Sequence, residues 1–362
     1  MAANQAILDA TIRHAVLLEQ LKSGEVKKFA PFLKEIDRSI RDRLTKADLT
    51  DYTAVRLERL LKEVDSLLLG IFDRFTDQLN LDLVDIANYE AQFEATSLTR
   101  AAPPSITFDA ALPGSAAIMA AILTNPLSVR GVDGGKLLDS FIEGFTSTER
   151  QRLTGAIRQG FFEGQTNFQI IKNIRGTKAL NYSDGILATT NRNAGSVVRT
   201  AVQHVATQAR METLKENSDV VQSVEWVSTL DSKTTAQCRT LDGRRFKLVE
   251  GPRPPIHINC RSTVVAITRF SAVLSKDGTR ASVGDSGSQQ VRADLSYYDW
   301  LRQQPSAFQD KAIGPIRAKL LRDGGLSVER FSELQLDRNF SPLTLDQMKA
   351  LEPLAFEKAG LR

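Results

Sequence analysis

Between positions 55 and 79 the apolar residues are Val55, Leu57, Leu60, Leu61, Val64, Leu67, Leu68, Ile71, Phe72, Phe75 and Leu79. Steps of three and four place them on one broad stripe of a helix. Arg56, Arg59, Lys62, Glu63, Asp65 and Arg74 fall mostly off that stripe. Such a helix needs a partner. The heptad is not strict, so an internal bundle is expected ahead of an intermolecular coiled coil. Helical spacing returns in TSTERQRLTGAIRQGFFEG, where Thr146, Ser147 or Thr148 is the candidate cap. It returns again at 168–174 and over 183–215. There Val198, Ala201, Val202, Val205 and Ala209 share one side, and Arg192, Arg199 and Arg210 read as a basic, solvated face.

The texture then changes. Val224, Trp226 and Ser228 alternate with Ser223, Glu225 and Val227, which predicts a half-buried strand. The run 262–268 (STVVAIT) is β-branched and predicts a second strand. Asp242-Gly243 between short extended runs reads as a hairpin turn. Pro252, Pro254 and Pro255 force an extended return loop. The polar, Gly- and Ser-rich stretch 274–294 reads as a linker. Beyond it, Gly324-Gly325 stops one helix and Thr344-x-x-Gln347 predicts a capping box. The expected fold is mainly α with a small α+β module. An N-terminal helical bundle occupies 1–100, and a linker with short helices 101–146. A domain at 147–270 carries the long central helix and a compact β-knot at 221–268. A flexible linker spans 271–294, and a small C-terminal helical module 295–362.

Composition narrows the classes. The net charge of +4 permits contact with an acidic surface without demanding it. Two cysteines in 362 residues do not describe a disulfide-rich secreted protein. The N-terminus lacks a basic start followed by an apolar run, so no signal peptide is expected. The longest uncharged run, 110–129, holds two Pro, a Gly and several hydroxyls, too polar for a spanning helix. A soluble chain made in a cytoplasm, with no membrane partner, is the expectation.

Both cysteines, Cys238 and Cys260, and one of three histidines, His257, lie within 225–262. His257-x-x-Cys260 sets two ligands on one turn, and Cys238 lies upstream within the span of a zinc site. A structural site wants four ligands. Thr235 stands where a CxxC pair needs its first cysteine, so Asp231, water or another chain has to complete the shell. Three ligands plus water also describes a catalytic zinc. The alternatives are a Cys238–Cys260 disulfide, buried free thiols, and a histidine that only hydrogen-bonds within its loop. A hydrolase reading takes Asp231 or Glu225 as base. No HExxH, G-x-S-x-G or P-loop supports it, and the glycines at 131–135 and 284–287 lack a Lys-Ser/Thr step. The segment 233–253 gathers Lys233, Arg239, Arg244, Arg245, Lys247 and Arg253 against Asp242 and Glu250, a candidate phosphate or partner contact.

The order W-x-S-T-L-D-S-K-T-x-x-x-C-x-x-L-D-G-x-x-F, then P-P-x-H-x-N-C-R, resembles the signature of the phage head-morphogenesis family. These are minor capsid proteins of tailed double-stranded DNA phages, including the Mu F-like group. The pattern uses Trp226, Asp231, Cys238, Asp242, Gly243, Pro254, Pro255, His257, Cys260 and Arg261, among others. Trp226, Asp231, Asp242, Gly243, Pro254, Pro255 and Arg261 are read as its scaffold. The likeness covers roughly 148 to the C-terminus. It implies a non-enzymatic minor head protein of the virion, in the capsid interior or at the portal vertex, present in host cytoplasm during assembly. Its implied partners are the portal protein, the major capsid or scaffold protein, and packaged DNA. Its implied role is head assembly with DNA packaging or ejection. Family members often carry cysteine where Thr235 and Ser262 stand. That thins the donor set here and leaves Cys238, His257 and Cys260 as the candidate structural zinc clip. A zinc-dependent hydrolase or a DNA-binding protein built on the same cluster is the alternative.

Overall fold

The computed structural model describes residues 5–47, 54–103, 105–272 and 278–361. Seven helices build the larger body: α1 (Gln5–Lys27), α2 (Ala30–Lys46), α3 (Ala54–Arg100), α4 (Ser115–Thr124), α5 (Leu138–Phe162), α6 (Asn167–Arg175) and α7 (Ile186–Glu216). The expected stripe forms one side of α3, a single helix of 47 residues. Most of the stripe is buried, from Leu57 to Leu79; Val55 and Leu67 remain exposed. The stripe packs within the chain, where Phe72 and Phe75 meet Phe29 and Phe145, and α3 as a whole lies chiefly along α7. The N-terminal helices form the expected bundle. They share one core with α5, α6 and α7.

Helix α7 is the centre. Every residue from Thr200 to Ala206 is buried, so the helix is covered on all sides. Its alanines and valines keep the neighbouring backbones close. The chain enters α7 through Gly185, where a Cβ would lie 2.4 Å from the Arg175 carbonyl, so only glycine fits. Arg210 departs from the expected solvated face: it is buried, and its carboxylate partners come from α3.

Helix α5 begins at Leu138, ahead of the expected cap at 146–148, and runs through the boundary drawn at 146/147. Leu138, Phe141, Ile142 and Phe145 continue the apolar spacing upstream and are buried. Thr146 and Thr148 bond back to the carbonyls of Glu143 and Gly144 inside the helix instead of capping it.

The β-module follows. Strand β1 (Val221–Val227) lies between β2 (Arg245–Phe246) and β3 (Thr263–Thr268), antiparallel to both. Val224 pairs with Phe246 on one side and Trp226 with Val264 on the other. Asp242-Gly243 does not make a tight hairpin. A short helix, α8 (Ala236–Leu241), is inserted between β1 and β2. Asp242 closes α8, and Gly243 at φ 78° turns the chain into β2 while its N–H donates to the Trp226 carbonyl.

The expected linker 271–294 is largely structured. Thr279–Gly284 (β4) and Gly287–Arg292 (β5) form an antiparallel hairpin, and Ser282 bridges to Leu230 of the module. Positions 273–277 of that stretch lie outside the described residues. The buried positions of β4 include Arg280 and Ser282. A strand that buries polar residues shows no hydrophobic alternation, which hid it.

The C-terminal helices are α9 (Tyr297–Arg302), α10 (Ser306–Ile313), α11 (Pro315–Asp323), α12 (Val328–Glu333), α13 (Leu345–Leu351) and α14 (Pro353–Lys358). They enclose a third core around Trp300, Tyr297, Tyr298 and Phe331. The expected Thr344/Gln347 capping box is present, and Gly324 ends α11. Among the described residues, no helix is long and apolar enough to cross a membrane.

Candidate metal centre

Two pieces of the β-module bring Cys238, His257 and Cys260 together. Cys238 lies in the first turn of α8, whose N-cap Thr235 accepts from the Cys238 N–H. His257 and Cys260 lie on the return loop after Pro254-Pro255. That loop turns through the Cys260 N–H to His257 carbonyl bond and through Asn259, left-handed at φ 60°. Asn259 is pinned to α7: its N–H donates to Thr200 Oγ1 and its amide to Ser196 Oγ.

Cys238 Sγ lies 3.2 Å from His257 Nε2 and 3.8 Å from Cys260 Sγ, and the three donor atoms all fall within 4.8 Å of one another. Zinc–sulfur and zinc–nitrogen bonds of about 2.3 and 2.1 Å imply tetrahedral edges of about 3.8 Å between sulfurs and 3.6 Å between sulfur and nitrogen. The sulfur pair matches that edge, and the histidine sits slightly tighter. His257 Nδ1 lies 2.9 Å from the Ile258 carbonyl. A proton held there leaves the Nε2 lone pair facing the thiols, the tautomer a metal ligand needs. Burial pushes the Cys238 thiol well up, and its neighbour Cys260 adds to this. Burial opposes ionisation of Cys260 too, but hydrogen bonds from Cys238 and His257 and the imidazolium charge outweigh it and hold that thiol well below its usual range. Burial works against the His257 cation, and the Cys260 partner outweighs it, so its pKa is raised. A metal ion bound here would displace the protons these groups share, and His257 would hold it through Nε2.

Both cysteines are free thiols. The hydroxyls of Ser262 and Thr235 also bond to Cys238. Among the described residues, no further His, Cys, Asp or Glu joins the three. Asp231 does not complete the shell. Its carboxylate takes both Arg261 guanidinium nitrogens at 2.6 and 3.0 Å, the N–H groups of Lys233 and Thr234, and the Thr234 hydroxyl. These partners outweigh its burial and lower its pKa. Glu225 pairs with Arg245. Neither carboxylate proposed as a base reaches the cluster.

The scaffold residues hold the site by its second layer. Trp226 Nε1 donates to Ser228 Oγ, and that hydroxyl donates to the Cys238 carbonyl. Asp242 accepts from the Ser228 N–H and pairs with buried Arg280, the link from hairpin β4–β5. Pro254 and Pro255 are buried and joined by a cis bond.

The six cations of 233–253 do not share one surface. Arg239 is buried, donates to the Ala312 carbonyl and lies over the Tyr297 ring. Arg253 folds onto its own loop carbonyls, and Lys247 pairs with Glu250. Arg244 and Arg245 line a cleft shared with Glu225, Asp294, Asp299 and Glu333. Lys233 faces a different groove, beside His257, whose other cations are Lys22, Arg192, Arg199 and Arg261. Sequence reasoning missed that wall because Lys22 and Arg199 come from α1 and α7; the arginine spacing on α7 was the only signal.

Residues 151–265 match the family model described as Phage Mu protein F like protein. No curated protein and no solved structure matches the chain. The matched stretch is about a third of the chain and runs from within α5 through α7 and α8 into β3. It contains all three converging donors and the tryptophan and aspartates that position them. Over that segment the chain is similar to the phage Mu protein F-like family.

Proposed function

We propose that this protein is a minor head protein that joins the head at the portal vertex, with Cys238, His257 and Cys260 as a structural zinc clip in its β-module. The observation that carries the reading is the family match across the module, together with the way that module is anchored. Loop 257–261 is fastened to α7, and hairpin β4–β5 to Asp242, so the three donors sit where distant parts of the chain meet. A cation there ties α8 to the return loop and stabilises the folded state by its binding free energy. The thiols and imidazole supply the donors, Ile258 fixes the tautomer, and Ser228 and Thr235 orient Cys238. The partners in this reading are the portal protein, the major capsid or scaffold protein, and packaged DNA. The role is assembly, with DNA packaging or ejection.

Co-expression with the portal protein of the same phage, followed by size exclusion and metal analysis, tests both halves. The expected result is a co-eluting complex carrying about one zinc per chain. Cys260→Ser should lower the zinc content at least about tenfold and lower the melting temperature, since a three-donor site left with two loses most of its affinity. A portal that elutes alone sinks the portal assignment. A metal-free protein whose melting temperature does not respond to added zinc sinks the clip.

A further inference from the structure

An open groove of about 730 Å³ runs between α1, α7 and the loop 257–261, on the outer side of the Cys–His cluster. Lys22, Arg192, Arg199, Lys233 and Arg261 line it, and Glu19 is the one carboxylate in its wall. Glu19 is shared between Lys22 at 2.5 Å and Arg199 at 3.6 Å. Arg261 is held by Asp231. Arg192 and Lys233 are exposed, and among the described residues no carboxylate pairs with either; the Arg192 guanidinium donates only to the Thr189 hydroxyl. Positive charge of this density in a concave wall attracts anions and repels cations. Neutral hydrogen-bonding groups, the Asn191 and Asn259 amides and the Ser196 hydroxyl, stand between the cations. An apolar guest would find only Val26 and Ile258.

We infer that this groove is a binding site for phosphate oxygens, with Arg192 and Lys233 as the cations free to take them and Arg199 and Arg261 set by their ion pairs as its walls. Arg192 and Arg199 lie two turns apart on α7, about 10 Å along its axis. The groove thus presents a track of donors and not a single point. Forked guanidiniums and mobile ammoniums suit phosphate, which accepts from several directions at once. The phosphate can come from a nucleic-acid backbone or from a free phosphorylated molecule, and both meet the groove through the same contacts. The site was not visible in the local charge of 233–253, since only Lys233 belongs to both sets.

The test is fluorescence anisotropy with the full chain and a short labelled DNA duplex of arbitrary sequence, across a salt series. The variants are Arg192→Ala/Lys233→Ala and, outside the groove, Lys247→Ala. The double variant is expected to bind at least about tenfold more weakly and to lose about two from the slope of log K against log salt, one per cation removed, with Lys247→Ala unchanged. Displacement of the duplex by inorganic phosphate or a nucleoside triphosphate assigns the groove to small phosphates; displacement by unlabelled duplex alone assigns it to a backbone. Equal binding by wild type and double variant overturns the site. Displacement by polyglutamate as readily as by DNA overturns the phosphate assignment in favour of an acidic protein segment. The site rests on the groove's own charges, so it stands or falls separately from the portal co-elution.

Discussion

Arg210→Met will destabilise the protein by about 3–5 kcal/mol, the loss seen when one partner of a buried ion pair is removed. Arg210 is buried where α7, α3 and β3 meet. It donates to Thr263 Oγ1, the Val264 carbonyl and Glu90, and its Nε lies 3.0 Å from Glu94 without hydrogen-bond alignment. Glu90 also contacts His14 of α1 at 2.5 Å. Without the guanidinium, two glutamates remain in an apolar interior. Replacing Glu90 and Glu94 by leucine, and His14 by phenylalanine, in the same variant should recover much of the loss, because a dry cluster removed whole costs little. Denaturation midpoints read both effects; a single-variant loss below about 1 kcal/mol means water reaches the glutamates. The cluster also sets a pH dependence. Burial pushes the Glu94 carboxyl up to about 7, with Arg210 opposing and Glu90 adding to the shift. Between its ordinary value near 4.5 and about 7 the folded state holds a proton that the unfolded state has lost. Stability therefore falls as pH rises through that window. Melting temperatures across it should decline in the wild type and more steeply in Arg210→Met, where the opposing charge is gone.

Trp226→Ala is expected to cost a similar 3–5 kcal/mol, about the usual price of emptying a buried tryptophan site. Trp226 is fully buried on the central strand of the module. The substitution removes more than volume. The indole N–H orients Ser228, whose hydroxyl holds the Cys238 carbonyl, so the first turn of α8 loses a support. Zinc affinity should fall with stability. Trp226→Phe keeps most of the packing and loses the N–H, so it separates the two contributions at about 1 kcal/mol for the hydrogen bond. An unchanged zinc affinity in Trp226→Ala disproves the orienting role.

The legible parts of this fold share a cause. Helices α3 and α7 could be read because their buried faces are apolar at steps of three and four. The module could be read because Trp226, Asp242 and the proline loop stand in a family-specific order. The unread parts share a cause as well. Arg280 and Ser282 fill inward positions of β4 and gave it the look of a linker. Arg210 looked solvated because its partners lie on helices far away in sequence. The three donors were visible as a cluster, since both cysteines lie in it. Asp231, one of three expected ways to complete the shell beside water or another chain, is claimed by Arg261 once the loop has folded back. The groove cations needed α1, α7 and the return loop to be placed together, which local spacing does not encode.

Helix α7 has a mechanical consequence. Val198 belongs to the core of the helical body, and Leu214, four turns on, to the core of the β-module. The helix between them is unbroken, about 46 Å over its 31 residues. No joint separates the two cores along that axle. A load applied to the return loop passes through Ser196 and Thr200 straight into the helical body, so the chain should yield to pulling as one piece rather than by swinging at a hinge.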